Sequence, residues 1–581
     1  MPPNKQVSML WLLRYLVPVK GRIAILLLIL LTSTACQLVN PQIIQRFIDT
    51  AAAQGEVASL LGLAGLFLVI AAFNQLFTVL LSYLGNDVAW RATNRLRADL
   101  LRHCLRLDMR FHNLKTPGVM IERIDGDVTG MSNFFAMFVV QIVGSFVLLT
   151  GILGFMYVYH WQIAVVMTVF TLLSVGVMVV IRNLGVASSQ VEREASASLF
   201  GLIEERLAGI EDVQAGGSVP YVMNRFHRAM RAVFLKGRRA WMLRVVPWNA
   251  TVVLFAAAVT IVLWMGVRFY AAGELSLGTL YLIFQYTQML NDPIEQLGNQ
   301  MQEFQKAKSG LRRSRELLST ESEIVDGTGL ALPDGALGIQ FEHVNFSYNQ
   351  GTPVLHDVSF RLSPGERLGI VGRTGSGKSS LSRLLLRLYN IDSGVIRVGG
   401  VDIRTLRLEA LYRRVGMVTQ EVQLFDGTLR DNLTLFDDGV TDEAIMETTG
   451  KLGLRKWIEG LPNGLDTHLQ AGGTSLSAGE AQLFALTRVF LTRPSLVILD
   501  EPSSRLDAAT EAALQEAVNQ LLERCTGIVI AHRLSTLEKV NKIMVLGDGR
   551  VLEFGSRENL ARDPSSHYAA LLTADRQEEL A

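Results

Sequence analysis

The stretch "GRTGSGKSS", residues 372–380, has the residue types and spacing of a loop that grips phosphate. It fits GxxxxGK[ST] through Gly372, Gly377, Lys378 and Ser379. The apolar run "RLGIV" precedes it and the helical pattern "SLSRLLLRLY" follows it. In a strand–loop–helix setting, the run Gly372, Arg373, Thr374, Gly375, Ser376, Gly377, Lys378, Ser379 and Ser380 turns successive backbone N–H groups onto an anion at a helix N-terminus. Lys378 adds charge for the outer phosphates, and Ser379 offers a hydroxyl to Mg²⁺. A glycine-rich turn alone could be structural, but the strand before it and the helix after it argue for phosphate.

A second stretch, "LVILDEP" at 496–502, reads as a buried strand ending in two acids, at the sheet edge where α/β folds hold ligands. Asp500 suits Mg²⁺ held through water, and Glu501 suits the orientation or deprotonation of an attacking water. Acids at a strand end are often only solvated, yet a phosphate loop upstream favours chemistry. A third stretch, "GGTSLSAGEAQL" at 472–483, opens a helical pattern at Ser477. A helix N-terminus with Ser477 and free N–H groups is an anion site.

These residues need a scaffold, and the chain is long enough for more than one. Its 581 residues exceed a single core and imply two or more domains. A net charge of +1 with 19% charged residues argues against nucleic acid as a partner and for partial residence in lipid. Cys36, Cys104 and Cys525 stand far apart, without metal-ligand spacing or a disulfide framework.

Six apolar runs, near 22–44, 59–84, 132–158, 161–184, 248–271 and 277–299, approach the length of a membrane span. The first ends "LLLILLTSTAC" like a secretory or lipoprotein signal. Ser33 three residues before Cys36, and five further spans, favour a retained helix. The segments 85–130 and 185–246 are rich in Arg, whereas 50–56, 159–161 and 271–276 hold no Lys or Arg. Basic loops stay inside, so both termini and both long loops are expected to be cytoplasmic. The periodicity of 88–107 carries helices well beyond the bilayer, with short transverse turns expected near 112–124 and 209–220.

Residues 318–338 lose periodicity and gain Gly, Pro and acids, as a linker does. Strand and helix patterns alternate beyond it. The expected architecture is a membrane all-α domain of six helices with long cytosolic extensions (1–317), the linker (318–338), and an α/β P-loop ATPase domain (339–581).

The order of the phosphate loop, "TQEVQLFDGTLRDN", "LSAGE", "LVILDE", "SSRLD" and "IVIAHR" resembles the ATP-binding cassette (ABC) superfamily over essentially the whole chain. Six spans ahead of the cassette resemble an exporter-type half-transporter. The resemblance implies that Tyr348 stacks on adenine, and that Gln420 senses Mg²⁺ and water while linking nucleotide to the membrane domain. It implies that Asp507 lies on the loop crossing between cassettes, and that His532 contacts the γ-phosphate and holds Glu501. It further implies two cassettes closing face to face, with Ser477 and Gly479 meeting the partner's ATP.

This chain departs from the family's Leu-Ser-Gly-Gly-Gln at Ala478 and Glu480. Ala478 adds a methyl where backbone approaches phosphate, and Glu480 adds a negative charge. At roughly 10 Å and an effective dielectric of about 20, that charge costs about 1.7 kcal/mol against a unit anion. The plainer reading is that Glu480 in the first turn suits the helix dipole. Ala471 stands where exporters usually carry a glutamate, and Arg505 where a small residue is usual. With the chain's own loop, Glu501 and His532 intact, the expected assembly is an asymmetric heterodimer with a second half-transporter.

The cargo is less legible. Gln285, Gln288, Asp292, Glu295 and Asn299 make one polar stripe on the sixth span. Facing a water-filled cavity, its acids would tolerate cations or amphiphiles. The plainer alternative is a helix entering the cytosol near Pro293. Drug, lipid and peptide substrates all fit. An importer of the same architecture, or a regulatory cassette protein, are the other classes; loss of Glu501 or His532 would favour the latter, and both are present.

Overall fold

The structure is a computed structural model that describes residues 14–181, 186–329, 331–348, 351–419, 422–470, 476–500, 508–531 and 534–580. The chain divides into two compact units: Met1–Leu105 with Pro117–Thr320, and Arg106–Thr116 with Glu321–Ala581.

The first unit is helical. Helix α1 spans Lys20–Ala52 and α2 Val57–Leu105. After the short α3 (Met109–Leu114), which belongs to the second unit, come α4 (Pro117–Ile121), α5 (Asp127–Met137), α6 (Gly144–Tyr159) and α7 (Trp161–Ile181). Then follow α8 (Val186–Ala208), α9 (Ile210–Ala215), α10 (Val219–Ala271), α11 (Leu277–Met289) and α12 (Asn291–Leu318). At 1.5 Å per residue, α2 and α10 are about 74 and 80 Å long, more than twice a hydrocarbon core.

Among the described residues, four helical stretches are long and apolar enough to cross a membrane: Arg14–Ala52, Val57–Leu105, Pro117–Tyr159 and Val219–Ala271. A fifth apolar stretch, Trp161–Val177, is shorter. The sixth expected span falls short in apolarity because α11 and α12 carry the polar stripe. The helix breaks at Leu290, leaving Gln288 and Asp292 exposed and Gln285 and Glu295 half-buried. The most apolar stretch of α2 buries no residue within the chain. Exposed Leu61, Leu68 and Val79 there form the surface expected against lipid.

Packing inside the unit is apolar around Ile152, Met156, Ile163, Met167, Val262, Leu282 and Tyr286. The buried phenol of Tyr286 is paired where it enters that core. The Tyr286 hydroxyl donates to the Leu38 carbonyl at 2.8 Å and accepts from the Gln42 amide at 3.0 Å. Elsewhere in the unit, Arg313 of α12 forms a two-pronged ion pair with buried Asp127 of α5. The turn α9 buries none of its side chains.

The second unit has two main sheets. Its strands are β1 (Ile339–Ser347), β2 (Pro353–Leu362), β3 (Arg367–Val371), β4 (Ser393–Val398), β5 (Val401–Asp402) and β6 (Val415–Val418). After them come β7 (Gly427–Thr428), β8 (His468–Leu469), β9 (Leu496–Asp500), β10 (Thr526–Ile530), β11 (Lys542–Gly547) and β12 (Arg550–Ser556). An antiparallel sheet has the order β2-β1-β4-β5, the larger sheet runs β12-β11-β3-β10-β9-β6, and β7 pairs with β8 alone. All pairings in the larger sheet are parallel except β11 with β12. Strands β3, β9 and β10 read as near-continuous Val, Ile and Leu because both faces are covered.

Three helices of this unit carry site residues: α13 (Lys378–Leu385), α14 (Leu429–Thr434) and α15 (Ala478–Thr492). Residues 321–327, at the start of the expected linker, are stitched to this unit. Asn390 donates to the Glu323 carbonyl, Arg387 to the Val325 carbonyl, and Asp326 accepts from the Leu408 N–H.

Candidate functional site

Sheet order brings the chemical stretches together. Strands β3, β10, β9 and β6 lie side by side and parallel, with Ile530 paired to both Ile370 and Asp500, and Val418 paired to Leu499. Their carboxyl ends therefore open onto one edge. The phosphate loop leaves β3 there and Asp500 closes β9, while in the sequence His532 comes two residues after β10 and Gln420 two residues after β6. Glu501, Gln420, Asp507 and His532, with Ala471 and Arg505, lie outside the described residues.

The phosphate loop is held in a shape that only glycine takes comfortably. Gly375 and Gly377 have φ of +84° and +102°. A Cβ on Gly372 would come within 2.2 Å of the Leu546 carbonyl oxygen, so the loop wraps tightly against β11. Arg373, Thr374, Gly375 and Ser379 are exposed, while Ser376, Gly377, Lys378 and Ser380 are buried. Gly377 caps α13 without any side-chain hydrogen bond.

The ammonium of Lys378 donates to the carbonyls of Gly372 at 2.7 Å and Arg373 at 3.0 Å. Burial pulls it below the ordinary lysine range, against the opposing pull of the Asp500 charge. The buried Ser376 hydroxyl has no partner among the described residues. An orphaned hydroxyl inside a tight glycine cradle fits a phosphate. Ser379 and Asp500 supply one hydroxyl and one carboxylate, the hard oxygen donors Mg²⁺ prefers when phosphates and water complete its shell.

Tyr348 follows β1 directly. Its hydroxyl lies 3.1 Å from the Ser380 Oγ and accepts from Arg383 at 3.1 Å. Tyr389 meets the ring edge-on at 5.0 Å and Phe346 at 4.8 Å. The aromatic and the phosphate loop are thus one hydrogen-bonded group.

At the third stretch, Ser477 caps α15 through a reciprocal box. Its Oγ accepts from the Glu480 N–H at 3.3 Å, while one Glu480 oxygen accepts from both the Ser477 N–H and the Ser477 hydroxyl at 2.8 Å. Of the four N–H groups that a helix start leaves without intrahelical partners, the box takes those of Ser477 and Glu480, and those of Ala478 and Gly479 lie outside it. The expectation of free N–H groups is corrected at Ser477 and Glu480 alone. Gly479 is buried just behind them.

The rest of α15 ties two cores together, with Phe484 packed beside Leu429 and Ile458, and Leu486 and Val489 against the sheet side. Arg488 is a residue sequence reasoning missed. It donates to the Asn432 carbonyl at 2.8 Å, sits 5.1 Å from the Phe484 ring, and burial brings it down to about 10. Asn432 in turn bonds Phe425 in both directions. The segment after Gln420 is therefore wired to the helix behind Ser477. A lone arginine on an apolar helix face, "LFALTRVFL", was the only sequence signal for it.

A phosphate edge of this kind, on one chain with helices apolar and long enough for a bilayer, defines an ATP-driven membrane transporter. The sequence matches the family description "ABC transporter transmembrane region" over residues 23–294 and "ABC transporter" over residues 355–504. A "Fatty acid ABC transporter ATP-binding/permease protein" of Mycobacterium bovis is 31% identical over 82% of this chain and 75% of its own length. An "ATP-dependent lipid A-core flippase" of Desulfotalea psychrophila is 29% identical over 84% of each chain. A solved bacterial Atm1-family ABC exporter with ATP bound shares the fold at a TM-score of 0.80 and 24% identity, covering 96% of this chain and 98% of that one. The chain belongs to the ABC transporter family, as an exporter-type half-transporter that is multi-pass, binds ATP and requires a second half.

Proposed function

We propose that this chain is one half of a heterodimeric exporter that moves a hydrophobic or amphipathic substrate out of the cytoplasm across the cell membrane. Its domains are 1–317, 318–338 and 339–581, with the termini and ATPase domain cytoplasmic. In its own site, the loop 372–380 and Tyr348 hold ATP, and Ser379, Asp500 and Gln420 hold Mg²⁺. Glu501 activates water, supported by His532, and Asp507 faces the partner. Magnesium supplies charge neutralisation on the phosphates when bound.

The observation that carries the heterodimer is the Glu480 box. The serine that would meet the partner's phosphate already donates its proton to a carboxylate 2.8 Å away, on the same chain. A homodimer would place that compromised face opposite an intact Lys378 and Glu501 twice over. With a partner, the altered face serves a slow site and the intact face of this chain serves the fast one. An amphipathic cargo is supported by the fatty-acid and lipid A names of two relatives and by exposed Gln288 and Asp292 within an otherwise apolar region.

The test is purification of this chain alone and with candidate half-transporters, followed by ATPase assays in liposomes with fatty acid, lipid and drug panels. Substrate-stimulated turnover only in the co-expressed pair supports the reading. A stable homodimer with two equally active, coupled sites removes it. Orientation is tested separately: single cysteines at Gln54 and Lys115 should label from opposite sides of intact cells.

A further inference from the structure

We infer that Arg110, on the short helix α3 between two membrane helices, is a positioning residue that sets the adenine side of the ATP site. This rests on the proposed stacking role of Tyr348. Segment 106–116 belongs to the ATPase unit although its chain neighbours on both sides belong to the membrane unit.

All three nitrogens of the Arg110 guanidinium donate. Nη1 donates to both oxygens of Glu323, at 2.9 and 2.8 Å. Nε donates to the carbonyl of Tyr348 at 3.2 Å, and Nη2 to that of Ser347 at 3.3 Å. Those carbonyls sit where β1 ends, and the residue of β2 paired with Ser347 is Pro353, which has no N–H to give. Arginine supplies the donors that the sheet cannot.

Its neighbours hold the same place. Asp108 caps α3 through the Phe111 N–H at 3.0 Å, and its second oxygen accepts from the Glu323 N–H at 2.7 Å. Asn113 donates to the Tyr389 hydroxyl at 2.5 Å, and Tyr389 lies edge-on to Tyr348 at 5.0 Å. Tyr348 is thus gripped twice from one turn, at its backbone through Arg110 and at its ring through Asn113 and Tyr389.

Stability does not explain this arrangement. Glu323 is more than half exposed, and exposed ion pairs contribute little. A planar fork, however, fixes direction as well as distance. The fork therefore fixes where the end of β1, and Tyr348 with it, lies against the phosphate loop.

The experiment uses the full chain co-expressed with its partner and compares binding of ATP with inorganic tripolyphosphate, which lacks adenine. Arg110→Ala should weaken ATP about fivefold to tenfold, the order of one ordinary hydrogen bond, and leave tripolyphosphate unchanged. The ATP effect should appear in KM with kcat preserved. It should vanish in a Tyr348→Ala background, and Glu323→Gln, which keeps an acceptor oxygen, should give a smaller shift of the same kind. If Tyr348→Ala weakens ATP while Arg110→Ala and Glu323→Gln do not, the inference is overturned. Equal losses for ATP and tripolyphosphate, or a fall in kcat alone, overturn it as well. If Tyr348→Ala itself has no effect, the stacking role fails first and takes this inference with it.

Discussion

Two helix N-termini in the ATPase unit are candidates for phosphate contact, α13 behind Gly377 and α15 behind Ser477, and they are finished in opposite ways. The first is capped by a glycine at φ +102° with no side-chain bond, beside a buried ammonium. The second is closed by Ser477 and Glu480, which satisfy each other. A helix N-terminus carries about half a positive charge whichever anion comes to it. At α13 that charge is available to a ligand. At α15 the chain has supplied its own carboxylate, and a phosphate brought to that end would compete with Glu480 for the Ser477 N–H and hydroxyl.

The largest effect expected from this contrast lies on the α13 side. Glu501→Gln should keep ATP binding and cut turnover of the assembled pair by at least about 10²-fold, as loss of a general base does. Equilibrium ATP binding and steady-state phosphate release on one preparation measure both. Unchanged turnover would remove Glu501 from the mechanism and, with it, the claim that this chain owns the fast site.

The next effect is a pH dependence. Burial holds the folded-state pKa of Lys378 below the ordinary value of about 10.4, so its proton leaves earlier as pH rises. ATP affinity should therefore decline on the alkaline side before an exposed lysine titrates, by up to about tenfold per pH unit once the proton is lost. Stability of the nucleotide-free fold runs the other way. In that window the unfolded chain binds more protons, so the fold gains stability as pH climbs. Titrations of ATP binding and of thermal unfolding should slope in opposite directions.

The α13 side was readable in sequence because its chemistry is local, with the loop, its strand and its helix contiguous. The α15 side was half readable. The spacing of Ser477 and Glu480 gave both a weakened phosphate contact and a helix-stabilising acid, and the structure makes them one feature. What stayed hidden depends on residues far apart in the chain. Arg110 meets Tyr348 across 238 positions, and Arg488 meets Asn432 across 56. No local period marks either pair. The sixth span shows the reverse: its polar stripe was visible at once, but the break at Leu290 was not, because Pro293 lies beyond it.

A smaller effect separates capping from phosphate binding at α15. Glu480→Ala removes half of the box and should lower stability by about 1 kcal/mol. Glu480→Gln keeps an acceptor at the same position and should unfold at nearly the parent temperature. Calorimetry or denaturant unfolding of the two variants reads the difference. Equal losses in both would mean that the charge, rather than the bonds, holds the start of α15.

The smallest effect is the most informative about asymmetry. Ala478→Gly with Glu480→Gln restores the family sequence at Leu476–Glu480 while preserving the box, since glutamine also closes it. If this face served a fast site, removing a charge worth about 1.7 kcal/mol should speed turnover by about tenfold or more. If it serves the slow site of a heterodimer, turnover is limited elsewhere, by the site that holds Lys378 and Glu501, and the restored sequence should raise it little. The measurement is steady-state ATPase of the co-expressed pair, with nucleotide trapping to show which site retains ATP. A large acceleration would return this face to the fast site and reopen the homodimer. A flat rate with longer retention at the partner's site is the outcome that the Ser477–Glu480 bond predicts, because a neutral amide holds the serine less tightly than a carboxylate does and no longer repels a phosphate.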